Sequence, residues 1–144
     1  MIVRFQIERP DRAVLLSSLP RYVWILAATY FVASLAHFTH NAEYIAFYPN
    51  MPAWLTAEQV YLAWLAVTCI GVAALVLLRL GFRAAGVAFV GLYGAFCLDG
   101  LAHYTLALCS EHTLATNITI WSEAVSGLLL LLVSAVVLYR KSEA

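Results

Sequence analysis

Four histidines, His37, His40, His103 and His112, and three carboxylates, Glu43, Asp99 and Glu123, fall at or just beyond the same end of four apolar stretches. Imidazole and carboxylate bind transition metals and move protons near neutral pH. Both are costly inside a bilayer, so an ionisable group there is a functional hypothesis from the outset. His37 and His40 are spaced i, i+3, and Asp99 and His103 are spaced i, i+4. Each pair therefore shares one helix face. That face is expected to point into a bundle, because lipid does not accommodate a carboxylate. Asn41 and Glu43 continue the first face, and Glu123 enters from the fourth stretch between Ser122 and Ser126.

The elements that must hold these groups follow from composition. The chain has 144 residues, 64% hydrophobic and only 11% charged. A soluble domain carries roughly a quarter charged residues. The formal net charge is zero, which gives no footing for nucleic acid. Four apolar stretches, about 22–44, 60–78, 84–108 and 118–139, are each near the ~20 residues a membrane crossing needs. At that length only helices satisfy their own backbone in lipid. The sequence predicts one all-α domain over 1–144, a polytopic four-transmembrane-helix bundle. It has a polar lead over 1–20 and an outer loop over 45–59 with Pro49, Asn50, Pro52 and Trp54, suited to lie at the interface as a lid. The apolar core of the lead is too short for a cleaved signal peptide.

Basic residues sort to one side. Arg4, Arg9, Arg12 and Arg21 precede the first stretch, Arg79 and Arg83 separate the second and third, and Arg140 and Lys141 follow the fourth. The positive-inside rule places both termini in the cytoplasm and the histidines at the outer, periplasmic-facing side of what would be a bacterial inner membrane. Counting from these anchors, His37, Asp99 and Glu123 lie 16, 16 and 17 residues from Arg21, Arg83 and Arg140. That is about 24–26 Å along a helix, within the outer part of a core roughly 30 Å thick. His40 and His103 lie about one turn further out.

Two segments match at an offset of 66: Leu35-Ala36-His37-Phe38-Thr39 and Leu101-Ala102-His103-Tyr104-Thr105. Paired helical hairpins related by an axis along the membrane normal would produce such a match. Chance in so Leu- and Ala-rich a chain is the competing explanation. The third stretch carries Ala84, Ala85, Gly86, Ala88, Gly91, Gly94 and Ala95, which permit close approach and mark it as the central helix. The fourth, with Leu128–Leu132 in a row, is expected to show more surface to lipid or to another subunit. Cys69 and Cys97 are expected as small buried hydrophobes, and Cys109 lies in a loop. The Asn117 sequon abuts the membrane.

The leading expectation is a metal centre of Zn, Cu or Fe among His37, His40, Asp99, His103 and His112, with Glu123 and Glu43 as catalytic carboxylates. His112, beside Glu111, is the weakest of the four histidines as a ligand. Asp99-x3-His103 followed by His112 resembles the Asp/His/His copper site in the membrane subunit of particulate methane monooxygenase, and that resemblance implies copper. A substrate would be a lipid-like or other hydrophobic small molecule entering from the outer leaflet. A second reading is metal-free acid/base chemistry by an isomerase or lipid-binding protein, since burial moves carboxyl and imidazole affinities for protons toward each other. The layout loosely resembles the emopamil-binding and sigma-2 receptor family, which implies a sterol-like ligand, though the motif order differs. A third is a haem b cytochrome with axial histidines from the first and third helices. A fourth is structural: a homo-oligomer, or an accessory subunit of a larger membrane complex, using polar side chains as interhelical glue. Among these motifs no phosphate-binding loop or nucleophile elbow occurs.

Overall fold

A computed structural model describes residues 19–142 of the chain. The lead with Arg4, Arg9 and Arg12 lies outside the described residues, apart from Leu19 and Pro20. The elements are α1 (Arg21–Glu43), α2 (Ala57–Arg79), α3 (Arg83–Ala95), α4 (Leu98–Leu101), α5 (His103–Leu106) and α6 (Leu114–Ser142), with single 3-10 turns at Ile45–Phe47 and Cys109–Glu111. No strand occurs among the described residues. Four helical spans, Arg21–Glu43, Ala57–Arg79, Arg83–Leu106 and Leu114–Arg140, are long and apolar enough to cross a membrane. Length and composition are those of a polytopic membrane protein.

The spans form a ring in which α1 packs on α2, α2 on α3, α3 on α6 and α6 back on α1. Local chemistry sets the ends. Thr56 and Gln59 close a reciprocal capping box, so α2 starts at Ala57 rather than Val60. Gly81, at φ +88°, ends α2. The Phe82 N–H reaches the Leu77 carbonyl and the Gly81 N–H reaches Leu78, a Schellman termination that turns the chain within three residues. Thr113 accepts from the Thr116 N–H and opens α6 four residues before the expected start.

The third span departs from the expected continuous helix. It breaks after Ala95 and again at Ala102. Across these breaks the backbone bonds shorten to the i, i+3 kind: Phe96 to Tyr93, Cys97 to Gly94, Asp99 to Phe96, Ala102 to Asp99 and Thr105 to Ala102. Local 3-10 tightening re-satisfies the backbone where the helix bends.

Close approach of α3 and α6 decides which helix is covered. A Cβ on Gly127 would lie 2.3 Å from Cys97 Cβ and 2.7 Å from the Gly94 carbonyl oxygen, so only glycine fits there. The third span is the most buried, as expected. The fourth does not show extra surface: it lies between α1 and α3 and turns Glu123, Ser126, Gly127, Leu130 and Ser134 inward. The second span is the least buried of the four. Cys69 on it is exposed, whereas Cys97 is buried against α6. An apolar core of Val23, Tyr30, Val67, Leu78, Val90 and Leu130 fills the arginine end of the ring. A smaller cluster of Phe38, Ala42 and Val60 backs the long loop at the histidine end.

Candidate functional site

Between these two cores lies a layer of buried polar groups. His37 on α1 and Glu123 on α6 meet with Nε2 3.6 Å from Oε2, and both side chains are almost wholly buried. Gly100 on α4 makes room for the pair, since a Cβ there would lie 2.9 Å from Glu123 Oε2. Thr119, one turn before Glu123 on α6, sits 3.4 Å from His37 Nδ1. The Thr119 hydroxyl proton is already given to the Thr116 carbonyl at 2.9 Å. Its oxygen can therefore only accept, which assigns the proton of neutral His37 to Nδ1 and leaves Nε2 as a lone pair facing the carboxyl.

Three imidazoles follow one another outward. The His37 and His103 rings are 5.4 Å apart between centroids, and His103 and His112 are 6.2 Å apart. Asn41 donates to His103 Nε2 at 3.2 Å, so neutral His103 carries its proton on Nδ1. His112, 8% exposed, has no hydrogen-bond partner on either ring nitrogen among the described residues. The loop joining α1 to α2 closes over this series. Tyr48, 4% exposed, presents its ring 4.9 Å from His103 and 6.2 Å from His112, and its hydroxyl lies 2.9 Å from His40 Nδ1. Burial raises the Tyr48 phenol above the usual tyrosine range, so it stays protonated at neutral pH and donates to His40. Asn50, at φ 58°, fastens the same loop by donating to the Leu106 carbonyl at 2.8 Å.

Beside this series is a cavity of about 220 Å³ bordered by Phe38, Asn41, Leu55, Asp99 and His103. Asp99 and His103 are the two charged-type groups on its wall, as their i, i+4 spacing requires. Thus the structure brings together His37, His103, His112 and Glu123, whereas Asp99, expected to turn into the bundle, is exposed and borders the cavity beside His103, because the third span breaks on either side of it. His40 is joined to the group only through Tyr48. Glu43 is exposed and accepts from Tyr61 at 2.8 Å, apart from the buried layer. Among the described residues no three His, Cys, Asp or Glu side chains are placed as a metal-ligand set.

Sequence reasoning missed Tyr48, Asn41 as a partner of His103, and Thr119. Tyr48 lies in a loop whose path no periodicity encodes. Thr119 sits one turn from Glu123 on the same face, a signal that spacing does contain. Asn117, read only as a sequon, ties the second loop to α6 by donating to the Cys109 carbonyl at 3.0 Å and accepting from Tyr104 at 2.8 Å. Comparison with known proteins finds no matching family, no matching curated protein and no matching solved structure. Fold and site together describe a four-helix membrane protein with buried histidines in its ring.

Proposed function

We propose that this protein performs metal-free acid/base chemistry on a small amphiphilic substrate, bound in the cavity beside Asp99 and His103. In this reading Asp99 and His103 are the groups that touch substrate. His37 and Glu123 stand behind them as a proton reservoir. The observation that supports it is the buried series behind the cavity wall, His103 in ring contact with His37 and His37 3.6 Å from Glu123, ending on a carboxyl with no exposure. A carboxyl buried at that level is tolerated as the acid, or as an anion while His37 holds the proton. Either way one proton is shared by two groups directly behind His103, and its charge biases the protonation of His103. Removing a proton from one carbon and returning a proton to another moves a double bond with no change of oxidation state and no cofactor. On the arginine distribution, the cavity opens toward the periplasmic side of a bacterial inner membrane, with the termini in the cytoplasm.

The test uses the purified chain in vesicles of bacterial lipid extract, incubated in heavy water. Deuterium should enter a carbon-bound position of one amphiphile, and His103→Ala and Asp99→Asn should abolish it. Glu43→Gln should leave it intact. No uptake by the unmodified chain overturns the reading.

A second reading, a Zn, Cu or Fe centre held by His103 and His112 with His37, is favoured by the two unpartnered nitrogens of buried His112. It requires the three imidazoles to turn toward one point. Stoichiometric metal in the purified protein, lost in both His103→Ala and His112→Ala, would select it. The haem alternative has no comparable observation in its favour, since His37 and His103 pack edge to face.

A further inference from the structure

Below the histidine layer lies a set of oxygen atoms of which the acid/base reading uses only the Glu123 carboxyl. Tyr30 Oη, Ser34 Oγ, Tyr93 Oη and both carboxylate oxygens of Glu123 are buried with no hydrogen-bond partner among the described residues. Buried polar groups are nearly always satisfied, so five open oxygens in one region call for something that fills them.

They are neighbours. Tyr30, Ser34 and His37 are spaced i, i+4, i+7 and share one face of α1. The Tyr30 and Tyr93 rings touch edge to face, 4.7 Å between centroids. Tyr30 also packs on α6 at Gly127, where a Cβ would lie 2.8 Å from its ring, one turn from Glu123. Ser34 faces the Glu123 carboxyl and interacts with it, at a geometry short of a full hydrogen bond. Tyr30 and Tyr93 lie 9 and 10 residues from Arg21 and Arg83, so about 14 and 15 Å along their helices, the middle of a membrane core.

A second feature points to a ligand here. The third span breaks at Phe96 and Cys97, beside this region, and discontinuous helices border the ion sites of transporters. The donor atoms are all oxygen, which suits a hard cation rather than a soft transition metal. A single carboxylate supplies one negative charge, which balances a single positive one.

We infer that Glu123, Ser34, Tyr30 and Tyr93 form a membrane-depth binding site for a monovalent hard cation of the size of Na+. The inference goes beyond the acid/base reading, with which it shares only Glu123. That carboxyl carries either the proton shared with His37 or the cation.

The experiment measures thermal unfolding of the full chain in detergent micelles, in NaCl and in choline chloride at matched ionic strength. A ligand that binds only the folded state raises the midpoint in proportion to its occupancy. The expected result is a saturable rise in Tm with Na+ that choline does not reproduce. Ser34→Ala should shift half-saturation to about tenfold higher Na+, equivalent to one lost ligand oxygen, and Glu123→Gln should remove the response. His37→Gln, which disables the proton reservoir, should keep it, so the two proposals can fail separately. An unmodified chain with the same Tm in both salts overturns the site. So does a Na+ response that survives unchanged in both Ser34→Ala and Glu123→Gln.

Discussion

His37 and His103 occupy equivalent positions of the two Leu-Ala-His segments, and their rings meet at 5.4 Å between centroids in the middle of the ring of helices. They come from the first and third spans, which lie diagonally across the ring and barely touch elsewhere. Contact across a diagonal needs side chains that reach the axis, and two imidazoles do so because Gly100 leaves the space between α4 and Glu123 open. The 66-residue offset thus relates two groups that share a site.

Glu123→Gln keeps shape and removes the acid. In the deuterium-uptake assay it should lower the rate by about 100-fold or more, the usual worth of a proton-transferring group. Far-ultraviolet circular dichroism should be unchanged. Activity within threefold of the unmodified chain would show that the carboxyl is not part of the proton path.

Thr119 acts through His37 and is a positioning residue. Thr119→Val removes the acceptor that holds the Nδ1 proton, so both tautomers of His37 should become populated. Nitrogen NMR of the labelled imidazole reads that directly. Thr119→Ser should restore a single tautomer, and a purely structural role would not move the signal.

Gly127→Ala should destabilise the bundle by about 1–3 kcal/mol, because the added methyl collides with Cys97 and with the Gly94 backbone. Equilibrium unfolding in mixed micelles measures it. The same change at Gly81 meets no atom within 4 Å but strains a positive φ, which costs about 1 kcal/mol through the backbone alone.

The long loop is held by Asn50 and Tyr48. Asn50→Gly relieves the positive φ yet loses the bond to Leu106, so amide exchange over residues 45–55 should quicken while the helices stay protected. Equal exchange in both chains would show that the bond is not what holds the loop.

Tyr48 also carries a pH signature. Burial raises its phenol above the unfolded value of about 10. The folded state then holds the proton longer than the unfolded state. The resulting stability is fully present below pH ~10 and is lost as pH rises through the folded value. The stability gap between the native chain and Tyr48→Phe should therefore be flat to about pH 10 and shrink above it.

Apolar runs and their spacing dictated the set of helices and the level at which their polar groups lie. Runs of apolar residues as long as a bilayer leave no alternative to helices, and distance from the flanking arginines is a one-dimensional count along a rigid rise. His37, Asp99 and Glu123 could be placed in one layer on that basis. The same count could not say which of them touch. That was decided by the rotation of each helix and by the breaks in the third span, with the glycine contacts setting how closely α3 and α6 approach. The packed bundle turns Glu123 onto His37, leaves Glu43 outside with Tyr61, and puts Asp99 at the cavity border. The loop residue Tyr48 was decided only in three dimensions too, because its burial depends on histidines that are 55 and 64 positions away in the chain.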